Sequence, residues 1–263
     1  MTFLKVRDYS ELLQRVASAL KFVEQARISS QEVSAGKQSY TLLKIVLGVG
    51  KSQKALITAG IHGDEPEGVE ALCAFFEGHL CRQWAHRWEL TVLPCMNPWG
   101  YEYNRRTIHD GRDLNREFRS SHPPSEVLFV QSLDLDGYEL SLDLHDDADS
   151  SGYYLYQTVD SDEEAKASES ILRRVNHVMP INRDSEIEGR PVRHGVIRRP
   201  CAPSDMEWWP LAVYALEHGV KHNFTFEAGT ASLTQAQIDA HLAAIDAALE
   251  YFSAINQNSF GAQ

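Results

Sequence analysis

The chain is expected to fold as α/β, with a largely parallel or mixed sheet covered by helices on both faces, and three observations point there. Short apolar or alternating runs suited to strands take turns with longer runs suited to helices along most of the chain. Cap residues fall between them: Pro66 stands where a helix would open, Gly219 where one would close, and Ser232 or Thr234 can start the last. At 263 residues and 43% hydrophobic, the chain can bury one substantial core. No repeat or low-complexity linker marks a boundary, so one domain over residues 1–263 is expected.

The elements follow in order. A helix near Ser10–Ala26 precedes a strand Ser39–Leu47 and a short apolar, partly β-branched strand Ala55–Ala59. Pro66 and first-turn Glu67 start a helix Pro66–Leu80, followed by a strand Leu90–Pro94 and a helix near Ser125–Leu133. Leu140–His145 alternates apolar with polar residues and breaks into the polar loop Asp146–Gly152. Next come a strand Tyr153–Val159, helices Asp162–Val178 and Ser204–His218, the aromatic and β-branched strand His222–Glu227, and a helix Leu233–Phe252.

The loop Gly60-Ile61-His62-Gly63-Asp64-Glu65-Pro66 lies between the strand Ala55–Ala59 and its helix, and it sets an imidazole and a carboxylate three residues apart. Zinc accepts both donor types, and a catalytic zinc takes three protein ligands and keeps one position for water. His145 closes a second strand and can supply the third ligand. Asp143, two residues earlier on that strand, can orient its imidazole.

Two further segments join this pattern. Cys95-Met96-Asn97-Pro98-Trp99-Gly100 follows a strand and leads to Asn104-Arg105-Arg106 and Asp113-Leu114-Asn115-Arg116, while Phe224-Thr225-Phe226-Glu227 closes the last strand on a carboxylate. Together these motifs resemble the zinc metallocarboxypeptidases related to carboxypeptidase A, in family order from Gly60 to Thr230. The resemblance implies an eight-stranded mixed sheet with one zinc per chain at strand ends, held by His62, Glu65 and His145. It implies Glu227 as general base toward a zinc-activated water. Arg106, spaced ten residues before Arg116, would stabilise the oxyanion, with Arg105 its nearest competitor. Asn115 and Arg116 would grip a free carboxylate of the substrate, since a planar guanidinium can bond both oxygens.

The pattern also departs from that family. No tyrosine lies between Tyr156 and Tyr214, so the tyrosine that caps the substrate in the carboxypeptidase A branch is absent or replaced. The segment Pro200–Trp209 would line the specificity pocket, where Met206 suits apolar and Asp205 basic side chains. The acids Asp146, Asp147 and Asp149 form either a solvated loop or a rim that attracts Lys, Arg or diaminopimelate groups. Three functions remain in view: a carboxypeptidase or peptide amidase, with murein peptide amidases as one subtype; a deacylase of small N-acyl amino acids, similar to the succinylglutamate desuccinylases and aspartoacylases; and a zinc binder without catalysis. Peptides or small acyl-amino acids are the expected substrates, and nothing sets an oligomeric state.

Composition narrows the partners. A formal charge of -12 argues against nucleic acid, which needs clustered cations, and the basic residues between Arg183 and Arg199 are interrupted by acids and prolines. No leader-like apolar core or membrane-spanning run is present, so a cytoplasmic location is expected. Cys73, Cys81, Cys95 and Cys201 have no metal spacing. Cys73 and Cys81, placed on one helix, would stand about 12 Å apart by helical rise, too far for a disulfide.

Overall fold

The protein was analysed as a computed structural model that describes residues 4–198, 203–229 and 234–260, with side chains described to residue 255. Helix α1 (Tyr9–Leu20) is capped by Asp8, whose carboxylate accepts from the Ser10 amide, and it buries Tyr9, Leu12, Val16 and Leu20 on one face. It ends six residues before the expected Ala26, because Gln25 adopts a left-handed φ of 58° and the chain enters an unexpected strand β1 (Arg27–Ala35). β1 is a mostly exposed edge strand of Ser, Gln and Glu with little apolar alternation, and it pairs with β2 (Gln38–Leu47) across a tight turn at Gly36.

β3 (Gln53–Ala59) leads into α2 (Pro66–Glu77), where Pro66 occupies the first turn and needs no amide partner. The expected helix Pro66–Leu80 stops at Gly78, and a separate helix α3 (Leu80–Ala85) follows. Cys73 and Cys81 therefore sit on different helices, and both are buried free thiols, as is Cys95; Cys201 lies outside the described residues. Then come β4 (Trp88–Leu93), α4 (Pro98–Tyr103), a 3-10 turn at Leu114–Arg116, α5 (Ser125–Gln131), β5 (Leu140–Asp147), β6 (Tyr154–Gln157) and α6 (Asp162–Val175). A small hairpin, β7 (Glu186–Ile187) with β8 (Arg190–Pro191), and β9 (Val196–Arg198) complete the middle of the chain.

The expected helix Ser204–His218 is real only from Leu211. Pro203–Asp205 is a 3-10 turn, and α7 (Leu211–Glu217) begins after Pro210, whose ring cannot sit inside a helix. β10 (His222–Gly229) precedes α8 (Thr234–Phe260), which outruns the expected Phe252; the expected first residue Leu233, like Ser232 and Thr230, lies outside the described residues.

Eight strands form one mixed sheet in the order β1-β2-β4-β3-β5-β10-β6-β9. The central four, β4, β3, β5 and β10, run parallel, while β2 and β6 join them antiparallel. All of β5 but its last residue is buried, as expected for a strand covered on both faces. Helices α1, α2, α8 and α6 pack side by side on one face. The connection from β4 to β5 crosses over β3, and right-handed crossovers place α5 on the face opposite α2. Phe75, Phe76, Phe224, Phe226 and Phe252 are almost wholly buried between these layers, each contributing about 1.5 to 3 kcal/mol of burial. The chain leaves β3 toward β4 on one side and returns to β5 on the other, which opens a crevice at the carboxyl ends of β3 and β5.

Candidate active site

The loop that follows β3 is fixed from below by backbone. Amides of Met96 and Asn97 donate to the carbonyls of Ala59 and Gly60, and the Gly63 amide donates to the Arg105 carbonyl at 3.0 Å. Gly63 also presses against α4, where a Cβ would come within 2.0 Å of the Gly100 carbonyl carbon. Asn97 caps α4 by accepting from the Gly100 amide. Glu65 stands at the N-cap of α2 without a capping hydrogen bond, so its carboxylate is committed elsewhere.

That carboxylate lies between two imidazoles. His62 Nδ1 is 2.7 Å from Glu65 Oε1 and His145 Nδ1 is 2.7 Å from Glu65 Oε2. The ligand-capable atoms of all three side chains lie within 4.8 Å of one another, and among the described residues no other group of three gathers in this way. Each ring is held from behind by an acid: His145 Nε2 is 3.0 Å from Asp143 Oδ2, and His62 Nε2 is 3.2 Å from Asp113 Oδ1. Asp143 follows from the two-residue strand period, and Thr58 Oγ1 donates to its other oxygen at 2.6 Å. Asp113 had no role in the sequence reading, although it opens the Asp-x-Asn-Arg motif; its tie to His62 depends on the 3-10 turn that folds this segment back over the loop.

The donor set fits a divalent cation. Two imidazole nitrogens and a carboxylate oxygen converge while the outer nitrogens are anchored, as in metal-bound histidines. Both rings are 3% exposed and Glu65 is 9% exposed. Burial pushes the Glu65 carboxyl up, but His145 and then His62 outweigh it and hold Glu65 well below the usual range. Burial works against charge on His145 too, yet Asp143 and Glu65 raise its pKa well above the ordinary value. The carboxylates around His145 thus favour positive charge at this point, which a bound cation would supply.

Glu227 pairs in register with His145 across the parallel strands β5 and β10, so both side chains face the crevice. Burial raises its pKa well above the usual carboxylate value; nearby His145 lowers it, while Glu65, Asp147 and Asp146 raise it further. Arg106 Nη1 donates to Glu65 Oε1 and its Nε to Asp113 Oδ2, both at 3.2 Å. Asn115 accepts the Leu211 amide at its side-chain oxygen, leaving its amide nitrogen as the remaining donor. The Arg116 guanidinium stacks 3.9 Å over the Trp208 ring and donates to the Asn115 carbonyl.

His62, Glu65, His145, Glu227, Arg106, Asn115 and Arg116 all line one cavity of about 360 Å³. Met206 and Asp205 from the expected specificity segment do not line it, and its residues 200–202 lie outside the described residues. Pro210, Ala212 and Val213 line it instead, as do Tyr154 and Tyr156 from β6. The lining is strongly acidic: Asp64, Glu65, Glu67, Asp143, Asp146, Asp147, Asp149, Glu188 and Glu227 stand against Arg106 and Arg116 alone. Among the described residues, no helix is long and apolar enough to cross a membrane.

Residues 51–252 match the family described as the succinylglutamate desuccinylase/aspartoacylase catalytic domain. Comparison with curated proteins finds no match. Among solved structures, a protein from Shewanella amazonensis provisionally named a metallopeptidase superposes with a TM-score of 0.75 at 22% identity, covering 92% of each chain. A metallo-carboxypeptidase from Pseudomonas aeruginosa, solved with (2-guanidinoethylmercapto)succinic acid, gives a TM-score of 0.68 at 16% identity, covering 93% of this chain and 68% of that one. A succinylglutamate desuccinylase/aspartoacylase from Rhodobacter sphaeroides gives 0.60 at 16% identity, covering 86% and 65%. At these identities the likeness is one of fold: a metallocarboxypeptidase-like α/β sheet.

Proposed function

This chain belongs to the succinylglutamate desuccinylase/aspartoacylase catalytic-domain family, and from that premise we propose that it is a zinc-dependent hydrolase, residues 1–263 forming one catalytic domain that removes a C-terminal residue from a peptide or peptide-like amide. One observation carries the choice of substrate: nine acidic side chains line the cavity against two arginines, and six remain once Glu65, given to the metal, and Glu67 and Glu227, raised by burial, are set aside. The small substrates that give the family its name, with two or three carboxylates each, would meet repulsion over most of that wall. A peptide brings one terminal carboxylate, for which Arg116 and Asn115 stand ready, and can bring a cationic group for the acidic side.

His62, Glu65 and His145 would hold one zinc, which when bound supplies a Lewis acid for the scissile carbonyl and an acidified water. Asp143 and Asp113 fix the two rings, so the donor atoms need no reorientation. Glu227 takes the proton from the attacking water and passes it to the leaving nitrogen, a task suited to a carboxylate whose proton affinity is raised by burial. Arg106, braced by Glu65 and Asp113, presents a fixed positive donor to the oxyanion. Arg116, flat against Trp208, is restrained in rotation and offers its fork to the terminal carboxylate.

Deacylation of small N-acyl amino acids is the second reading, favoured by the family match itself. The test is turnover by the zinc-restored protein of a small library of C-terminal peptides beside N-succinylglutamate and N-acetylaspartate. Peptides, best among them those with a Lys- or Arg-like group, are expected to exceed the acyl-amino acids at least about tenfold in kcat/KM, about 1.4 kcal/mol. Faster turnover of the acyl-amino acids overturns the choice.

A further inference from the structure

The C-terminal helix reaches into the centre through a histidine that sequence reasoning passed over. His241 on α8 is fully buried, with Nε2 3.3 Å from Asp146 Oδ1 and Nδ1 3.1 Å from the Tyr153 hydroxyl. Its ring meets Tyr153 edge-to-face at a centroid distance of 5.5 Å. A neutral ring that donates from Nε2 to Asp146 and accepts the Tyr153 hydroxyl at Nδ1 satisfies all three groups at once. Asp146 is then placed from three sides, because its Oδ2 accepts the Glu67 amide at 3.0 Å in the first turn of α2 and the Glu67 carboxyl bonds it as well. The Asp146 amide itself donates to Glu65 Oε2 at 3.3 Å. A single run of contacts therefore leads from α8 through the end of β5 to the carboxylate between His62 and His145.

Resting on the zinc reading above, we propose that His241 is a positioning residue: it orients Asp146, and through it Glu65, and so sets the affinity of the centre for zinc. Without the Nε2 donor, a buried Asp146 oxygen loses its partner. The carboxylate can then rotate and release the Glu67 amide, loosening the first turn of α2 beside Glu65. Loss of such outer contacts to ligating groups typically weakens metal binding about ten- to a hundredfold. The idea differs from simple packing, because it predicts that an amide of similar reach will substitute while an apolar side chain of similar bulk will not.

The experiment is zinc competition against a chromophoric chelator on the full-length chain stripped of metal, with thermal melting of the same metal-free samples. His241→Leu is expected to weaken zinc about ten- to a hundredfold, and His241→Gln, whose amide nitrogen reaches near the position of Nε2, to stay within about threefold of the parent. If His241→Leu folds poorly, Tyr153→Phe keeps the ring and removes only the hydroxyl that fixes the tautomer, with an expected loss of about three- to tenfold. Parent-like zinc affinity in His241→Leu, or in Tyr153→Phe where that variant stands in for it, overturns the proposal, as does a Gln variant as weak as Leu. His145→Ala is the control for the reading beneath it. Full zinc retention in that control would defeat the metal assignment itself, a different outcome from a silent His241.

Discussion

The two walls of the cavity are built in opposite ways. On one wall His62, Glu65, His145 and Glu227 stand at the ends of β3, β5 and β10 or on the loop just beyond, held by backbone and by the acids Asp143 and Asp113, with both rings 3% exposed. On the other, Asn115 and Arg116 come from a 3-10 turn, while Arg106, from irregular chain and 44% exposed, bridges the two by donating to Glu65 and Asp113. Reactive groups demand placement to fractions of an ångström, which sheet ends provide. Groups that choose a substrate tolerate more freedom and vary at less cost to the core, which is what loops provide. The difference predicts that damage on the first wall falls on turnover and metal, and damage on the second on substrate choice.

Glu227→Gln tests the first wall most severely. Gln keeps the shape but cannot accept the proton, so kcat should fall about a thousandfold or more with zinc content and folding preserved. A variant that keeps over about a tenth of the parent kcat would place the proton acceptor elsewhere. Arg116→Gln probes the second wall: kcat/KM should drop about a hundredfold, roughly 2 to 3 kcal/mol, for peptides with a free C-terminus. Amidated peptides should be poor substrates for the parent and lose little further with the variant. Equal turnover of free and amidated peptides by the parent would remove the carboxylate grip.

Asp113 joins the walls, since it touches His62 Nε2, Arg106 Nε and the Asn115 amide. Asp113→Asn should therefore damage both, weakening zinc about tenfold and raising KM as well. An effect confined to KM would mean that the tie to His62 is idle.

The smallest effect concerns stability. Burial, and then Asp146, push the Glu67 carboxyl up to about 7. The folded state thus keeps a proton that the unfolded chain releases near its ordinary pKa of about 4.3, so the stability Glu67 contributes is complete below that value and lost as pH rises through 7. Glu67→Gln stays neutral. In metal-free protein its advantage over the parent should grow from near zero at acid pH to about 1 kcal/mol by pH 8, allowing for solvent screening. An advantage of equal size at pH 4 and pH 8 would show that proton sharing with Asp146 is not its source.

The parallel centre of the sheet and the gathering of the first wall were legible because short apolar strands announce themselves and place their last residues in the crevice. His145 and Glu227 are separated by most of the second half of the chain, yet each closes such a run. Asp143 was legible for the same reason, through the two-residue period of a strand. β1 was not, because an exposed edge strand lacks the apolar alternation that marks a buried one. Nor was the late start of α7, where Pro210 overrides an otherwise helical stretch. Asp113 and His241 act through residues far away in sequence, and no local periodicity indicates which carboxylate or imidazole a turn or a terminal helix will bring inward.

The contact between Gly63 and Gly100 makes the His-x-x-Glu loop and the Asn-Pro-Trp-Gly segment a single transplantable part. A designer moving only the loop into another α/β scaffold would lose the flat backbone surface against which Gly63 rests and the Arg105 carbonyl that receives its amide. A Cβ would come within 2.0 Å of backbone at Gly63 and 2.3 Å of Asn97 at Gly100, so a side chain at either glycine would shift the loop that carries His62 and Glu65. A working graft must carry both segments, and laboratory diversification of this cleft should leave both glycines untouched.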